Sequence, residues 1–157
     1  EGLSCQTTIA GLGTTIRLEP LRALPVQRDL MVDMAPFFRS LAQAQAALRP
    51  AEPGLRQTRL LPPQAPHRVA IEAQNGCITC AACHSASAGN GGLGPAALNR
   101  VLMLTLDERD ALGKQRLAAA ARDPGVVQPD AMRRCDAVCP AEIPLSQAAQ
   151  RLKDLAP

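Results

Sequence analysis

The sequence predicts a mainly α-helical fold preceded by a short strand, and three observations carry that prediction. Apolar residues recur at helical spacing over 26–48 and again from Ala96 to Leu112. Prolines stand where helical first turns belong, at Pro36, Pro95 and Pro144. A short alternating stretch, Thr15-Ile16-Arg17-Leu18-Glu19, has the period of a strand.

The elements follow in order. Residues 1–25 hold Cys5, alone in Glu-Gly-Leu-Ser-Cys, and then the alternating stretch. A strand so near the first residue has no neighbour within its own sequence, so a preceding segment that was cleaved, lies on another polypeptide or was not included is expected. Residues 26–66 read as a connector: a helix or helix pair over 26–48, broken or restarted at Pro36, then a segment with Pro50, Pro53, Pro62, Pro63 and Pro66. That proline density forbids regular helix and predicts an extended segment wrapping a surface. Residues 67–157 form the third part. His67 to Gly76 leads into a cysteine triplet, and 84–94, rich in Ala, Ser, Asn and Gly, reads as a loop. An amphipathic helix starts at Pro95, another runs from Lys114 to Arg122 and stops at Asp123-Pro124-Gly125, and a last one follows Pro144.

Composition narrows the function classes. With 157 residues the chain can bury one moderate core. It has no Trp or Tyr and two Phe, Phe37 and Phe38, against 14 Pro and 11 Gly. Large aromatic side chains dominate many cores, so a subunit that owes order to a bound group and to larger partners is expected. The net charge of +3 comes from scattered Arg, without basic runs or stacking aromatics, which argues against nucleic-acid binding. No apolar run approaches the roughly 20 residues of a membrane span. Met31, Met34, Met103 and Met132 lie in or beside apolar helical stretches and read as core filler. No nucleophile with a nearby base, phosphate loop or paired carboxylate site is recognisable, so catalysis on this chain is not expected.

The chemistry lies in the cysteines. Cys77, Cys80 and Cys83 form C-x2-C-x2-C, answered near the other end by Cys135, Cys139 and Pro140. Three thiolates from one turn and a fourth from a remote Cys-Pro are the ligand pattern of a cubane iron–sulfur cluster. Cys77, Cys80, Cys83 and Cys139 would complete one [4Fe–4S] site. A second site of the same kind is broken: Ser87 stands at the fourth position of the first run, while Met132 and Pro129 stand at the earlier ligand-spaced positions of the second, leaving Cys135 as a remnant. Proline has no side-chain donor, and a serine oxygen is a poor match for iron that prefers soft thiolate. A four-cysteine zinc site is the main rival. Zinc usually takes two close pairs, which leaves the third cysteine of the triplet unexplained. Disulfides fit less well, since nothing resembles a secretory signal peptide. His84 adjoins Cys83 and reads as an outer-sphere or solvent-facing residue, and Arg133 with Arg134 as a solvated face that can also offset cluster charge.

These residues resemble the iron–sulfur subunit of succinate dehydrogenase and fumarate reductase. The stretch IRLEPLRALPVQRDLMVDM is similar to that family's junction between a ferredoxin domain and a helical domain, with its strand, L-P-V turn and R-D-L-V-V-D-M helix. GLGPAAL resembles the I-G-P-A-x-L helix start, and CPAEIP the C-P-K-G-L-N-P ending. The resemblance covers nearly the whole chain. It implies a helical ferredoxin-like [4Fe–4S] domain preceded by the strand remnant of a plant-type [2Fe–2S] ferredoxin domain. Cys5 then matches the last [2Fe–2S] ligand, in an N-G-L-x-C setting, and Cys77, Cys80, Cys83 and Cys139 match the [4Fe–4S] ligands. The [3Fe–4S] set falls on Ser87, Pro129 and Cys135 and is expected to be absent. The family's aromatic, quinone-contacting loop is replaced by AGNGGLG, and a family histidine by Asp130.

What the resemblance implies is a non-catalytic electron-transfer subunit of a complex with a flavoprotein subunit, a ferredoxin segment on this or another chain, and membrane anchors. Its place would be peripheral, on the matrix side of the inner mitochondrial membrane or the cytoplasmic side of a bacterial membrane. The alternative is a structural subunit whose metal site, iron–sulfur or zinc, only staples the fold.

Overall fold

The computed structural model describes residues 2–51, 61–87 and 91–156. These residues are mostly helical, with one small two-stranded sheet. Residues 2–24 run irregularly over the surface, and Ile9, Leu12, Ile16 and Leu18 are exposed. The alternating stretch Thr15–Glu19 is therefore not a strand. An isolated strand leaves its backbone donors and acceptors without a ladder, and none of the described segments lies against it as a partner strand.

The helix expected from residue 26 begins later. Val26–Arg28 (β1) and Met31–Val32 (β2) pair antiparallel, with Val26 opposite Val32 and Arg28 opposite Met31. Asp29 takes the left-handed turn conformation at φ 51°, which Asp tolerates better than most residues. Val26, Leu30, Met31 and Met34 have spacings that suit a helix, which is why periodicity misreads the hairpin. Met31 is accordingly exposed and no core filler. Helix α1, Ala35–Gln43, carries Pro36 in its first turn, as expected, and the Asp33 carboxylate accepts from the Ala35 N–H at 2.8 Å. Of the proline-rich segment, residues 52–60 lie outside the described residues.

Helix α2, Pro66–Asn75, opens on a first-turn proline and leads to the cysteine triplet; α3 is Ala82–Ala86. Helix α4, Pro95–Leu106, is the centre of the molecule. The expected amphipathic stripe is absent: Pro95, Ala96, Ala97, Leu98, Asn99 and Val101 through Leu104 are all buried. A helix apolar on every side is one surrounded by others, and α4 packs against α1, α2, α3 and the later helices α5 (Gly113–Ala120), α6 (Pro124–Val127) and α8 (Leu145–Leu155). A 3-10 turn, Pro129–Met132, runs into α7, Arg133–Val138. Phe37, Leu98, Val101, Leu102, Val126, Met132 and Leu152 fill one core.

Small residues do the work that aromatics do elsewhere. Ala81, Ala97, Ala120 and Ala149 are each 1% exposed, so helices approach closely and dispersion contacts accumulate without large rings. Among the described residues no helix is long and apolar enough to cross a membrane.

One polar device closes this core. Arg116 is buried and donates from Nε to the Gln45 carbonyl (2.8 Å), from Nη2 to the Ala47 carbonyl (2.6 Å) and from Nη1 to the Asp110 carboxylate. Asp110 in turn accepts from the backbone N–H of Arg49 (2.8 Å) and of Leu112 (2.9 Å). The chain after α1 is thereby fastened to the α4–α5 corner. Removing Arg116 from this buried pair leaves an uncompensated carboxylate and two carbonyls without their guanidinium donors. We expect Arg116→Ala to lower unfolding free energy by about 3–5 kcal/mol. Arg133→Ala, which breaks the exposed Arg133–Asp130 pair, should change it by less than ~1 kcal/mol. Denaturant titration of the two variants in parallel checks both expectations.

Candidate cluster site

The site is built from two loops. The first follows α2: Gly76 ends the helix, Cys77 to Ala81 form a non-helical turn, and Cys83 enters on α3. Thr79 and Ala81 stand in the left-handed region at φ 54° and 63°, a conformation that costs an L-residue about 1–2 kcal/mol. The second loop follows α7 and begins at Cys139, which caps the helix in extended geometry; Pro140 prevents continuation and Glu142 is again left-handed at φ 52°. Non-glycine residues persist there only when the surroundings over-determine them. The loops meet closely enough that a methyl group on Gly76 would touch Ala141.

Between them lies a cavity lined by Cys77, Cys80, Cys83 and Cys139, with Ala81, Ala96, Ile143 and Leu145 among its apolar walls. It contains about 360 Å³ of atom-free space, part of it open to solvent. Cys83 is buried, and the other three are half-buried. All six cysteines are free thiols. Burial first, and then the negative charges that Cys135, Cys77, Cys80 and Cys139 would carry, push the Cys83 thiol up to about 12. Several thiolates facing one apolar space repel each other and shed their hydration, so an enclosed cationic centre is the natural compensation.

Soft thiolates and an apolar wall suit an iron–sulfur core. Among the described residues no three His, Cys, Asp or Glu side chains are placed to hold a single metal ion. A tetrahedral zinc site draws its sulfurs to about 2.3 Å from one centre.

The remaining cysteines lie elsewhere. Cys5 is exposed in a turn closed by the Gln6 N–H to the Leu3 carbonyl at 3.0 Å, and it does not line the cavity. Cys135 is fully buried behind the first loop, where its Sγ–H donates to the Cys83 carbonyl at 3.5 Å. Burial pushes its thiol up to about 11, with Asp136 adding to the effect and Arg134 opposing it. The buried Ser87 hydroxyl donates to the His84 carbonyl at 3.0 Å, and the Ser87 N–H to the Cys83 carbonyl at 2.9 Å. Pro129 begins the 3-10 turn, Met132 at its end fills the core, and Asp130 is exposed beside Arg133. His84 does not line the cavity. Its ring stands edge-on to Phe37 at 5.8 Å, and burial lowers its pKa.

Two carboxylates that sequence reasoning passed over position these loops. Asp123 caps α6 through the Gly125 N–H (2.9 Å) and accepts the Leu93 N–H (2.7 Å), which fixes the glycine-rich segment before α4. Its local signal, Asp before a first-turn proline, was available. Asp136 binds the Ser146 N–H (2.9 Å) and hydroxyl, joining α7 to the first turn of α8 across the Cys139 loop. Nothing local in the sequence marks that pairing.

Comparison with known proteins places this geometry. The succinate dehydrogenase iron–sulfur subunit of Coxiella burnetii is 27% identical over 158 residues, covering 98% of this chain and 66% of that protein. The fumarate reductase iron–sulfur subunit of Escherichia coli O6:H1 is 31% identical over 160 residues, covering 96% and 63%. Its curated homologues are iron–sulfur subunits of succinate dehydrogenase and fumarate reductase. The Bacillus subtilis succinate dehydrogenase subunit, 30% identical over 160 residues, covers 95% of the chain and is itself covered to 60%. The chain thus spans about 60–66% of the length of these relatives. No family model matches it.

Gly125 offers a check on the packing behind the site. A Cβ there would lie 2.0 Å from Met132 Cε and 2.7 Å from Leu98 Cδ1. Gly125→Ala should cost about 1–3 kcal/mol through overpacking, seen as a lower melting temperature. Pairing it with Met132→Ala, which vacates that space, should recover part of the loss.

Proposed function

We propose that this chain is an electron-transfer subunit of a succinate dehydrogenase- or fumarate reductase-like complex and holds one [4Fe–4S] cluster through Cys77, Cys80, Cys83 and Cys139. The observation that carries the reading is the convergence of four thiols, three from one loop and one from a loop 56 positions further on, upon a single apolar cavity. Bound there, such a cluster supplies a one-electron carrier whose potential depends on charge, hydrogen bonding and exposure.

The chain's own residues prepare that role. Ala81, Ala96, Ile143 and Leu145 give the thiols an apolar wall, and the left-handed Thr79, Ala81 and Glu142 turn the two loops toward it. In this reading the flavoprotein of the complex and a [2Fe–2S] ferredoxin segment, with Cys5 as its last ligand, lie upstream in the electron path. That segment belongs to this polypeptide or another. Membrane anchors hold the assembly peripherally on a mitochondrial inner or bacterial cytoplasmic membrane. A [3Fe–4S] site is not supported by Ser87 and Pro129. The segment AGNGGLG lacks the apolar wall a quinone ring requires, and its residues 88–90 lie outside the described residues. The acceptor is therefore something other than a quinone bound in the family's usual place.

A second reading, a structural staple, is favoured by the way the site ties α3, α7 and α8 together. Redox titration of the assembled complex separates the two: reduction of the cluster by succinate supports the electron path, and a cluster that stays inert at every potential supports the staple.

Two outcomes are expected for the isolated questions of content and folding. Anaerobic analysis should find about four irons and four sulfides per helical domain; about seven or eight would restore a second cluster, and one zinc per chain would overturn the assignment. Cys139→Ala should lose helical circular dichroism along with iron, because metal binding and folding are coupled when loops this distant share a centre. A variant that keeps its helicity and melting temperature would contradict the staple component.

A further inference from the structure

Cys135 has no place in the cavity wall, yet it is the cysteine most intimately associated with a cavity ligand. Its Sγ–H donates to the main-chain carbonyl of Cys83 at 3.5 Å, both residues are buried, and α3 and α7, which carry them, pack directly on each other. Cys135 also lies on α7, whose last residue, Val138, leads directly into Cys139. It therefore sits beside one ligand and on the helix that leads into another.

We propose that Cys135 is a reserve ligand for the iron site, able to take over the coordination that Cys83 supplies. This rests on the cluster assignment made above. The exchange is a ligand swap: the bond from iron to the Cys83 sulfur breaks, the bond to the Cys135 sulfur forms, and the thiol proton of Cys135 passes to Cys83. Iron oxidation state and total charge are unchanged, so no oxidant or reductant is needed. Cys77 and Cys80, on the exposed side of the same loop, have no such neighbour among the described residues.

The test uses the full chain in its native assembly, loaded anaerobically, with iron and sulfide counted per chain and thiols alkylated by iodoacetamide before mass spectrometry. Wild type must first hold about four irons; if it does not, the cluster assignment itself fails and the reserve role with it. Given that content, Cys83→Ala should retain most of the iron, with Cys135 protected from alkylation until a chelator strips the metal. Cys77→Ala, and the double variant Cys83→Ala/Cys135→Ser, should lose it. Iron in Cys83→Ala no higher than in the double variant overturns the proposal. Should Cys83→Ala not fold, Cys135→Ser decides instead. It is nearly isosteric and keeps a donor for the Cys83 carbonyl, but its oxygen is a poor iron ligand. Several-fold faster release of iron to a chelator, at an unchanged apo-protein melting temperature, supports the reserve role, and an unchanged rate refutes it.

Discussion

The rest of the structure depends on one constraint: thiols that repel when ionised must be held around a common apolar space. Burial and mutual charge drive the Cys83 thiol to about 12, so the cysteines do not gather there by attraction for each other. Forces from elsewhere hold them. The packing of α3 on α7 brings Cys83 and Cys139 to one cavity, the Asp136–Ser146 link fixes α7 to α8 across the Cys139 turn, and α4 supplies part of the wall through Ala96. The left-handed Thr79, Ala81 and Glu142 are the local cost of aiming two loops at each other.

That constraint explains why α4 is buried on every side. A central helix is the shortest way to support two loops far apart in sequence, and it needs an apolar surface all round. Close approach then falls to small residues. Alanines at 81, 97, 120 and 149 sit at the contacts, and Gly113 lets its backbone approach Thr105, where an added Cβ would be 3.1 Å from Cα. A core made this way has few large side chains to spare, which is consistent with the weight borne by the Arg116–Asp110 clamp at its edge.

How much of this was legible in the sequence varies with the range of the interaction. The four cavity cysteines were legible because ligand spacing is a local pattern with a chemical reason behind it. Helices α4, α5 and α8 were found by period and first-turn prolines, although the burial of α4 on all sides was not, since period alone cannot say how many neighbours a helix has. The hairpin at 26–32 was read as helix because its apolar residues fit both spacings, and the left-handed Asp29 that decides between them has no unique sequence mark. Residues 15–19 alternate like a strand but lie exposed without a ladder. Arg116 was invisible as a clamp: the carbonyls it binds lie 69 and 71 positions away.

The broken half of the cysteine pattern is informative in a different way. Ser87 and Cys135 do not simply fill space left by a missing ligand set. Both direct a donor at the same acceptor, the carbonyl of Cys83, one from its backbone N–H and the other from its thiol. A carbonyl with two partners fixes the peptide that follows it, and with it the start of α3 and the direction of the Cys83 side chain. Pro129 and Met132 are buried, and Met132 closes the core against Gly125 and Leu98. Two positions that resemble ligands of a second centre, Ser87 and Cys135, thus support the backbone of a cavity cysteine. Removing the donor at Ser87 or Cys135 would therefore loosen Cys83 itself.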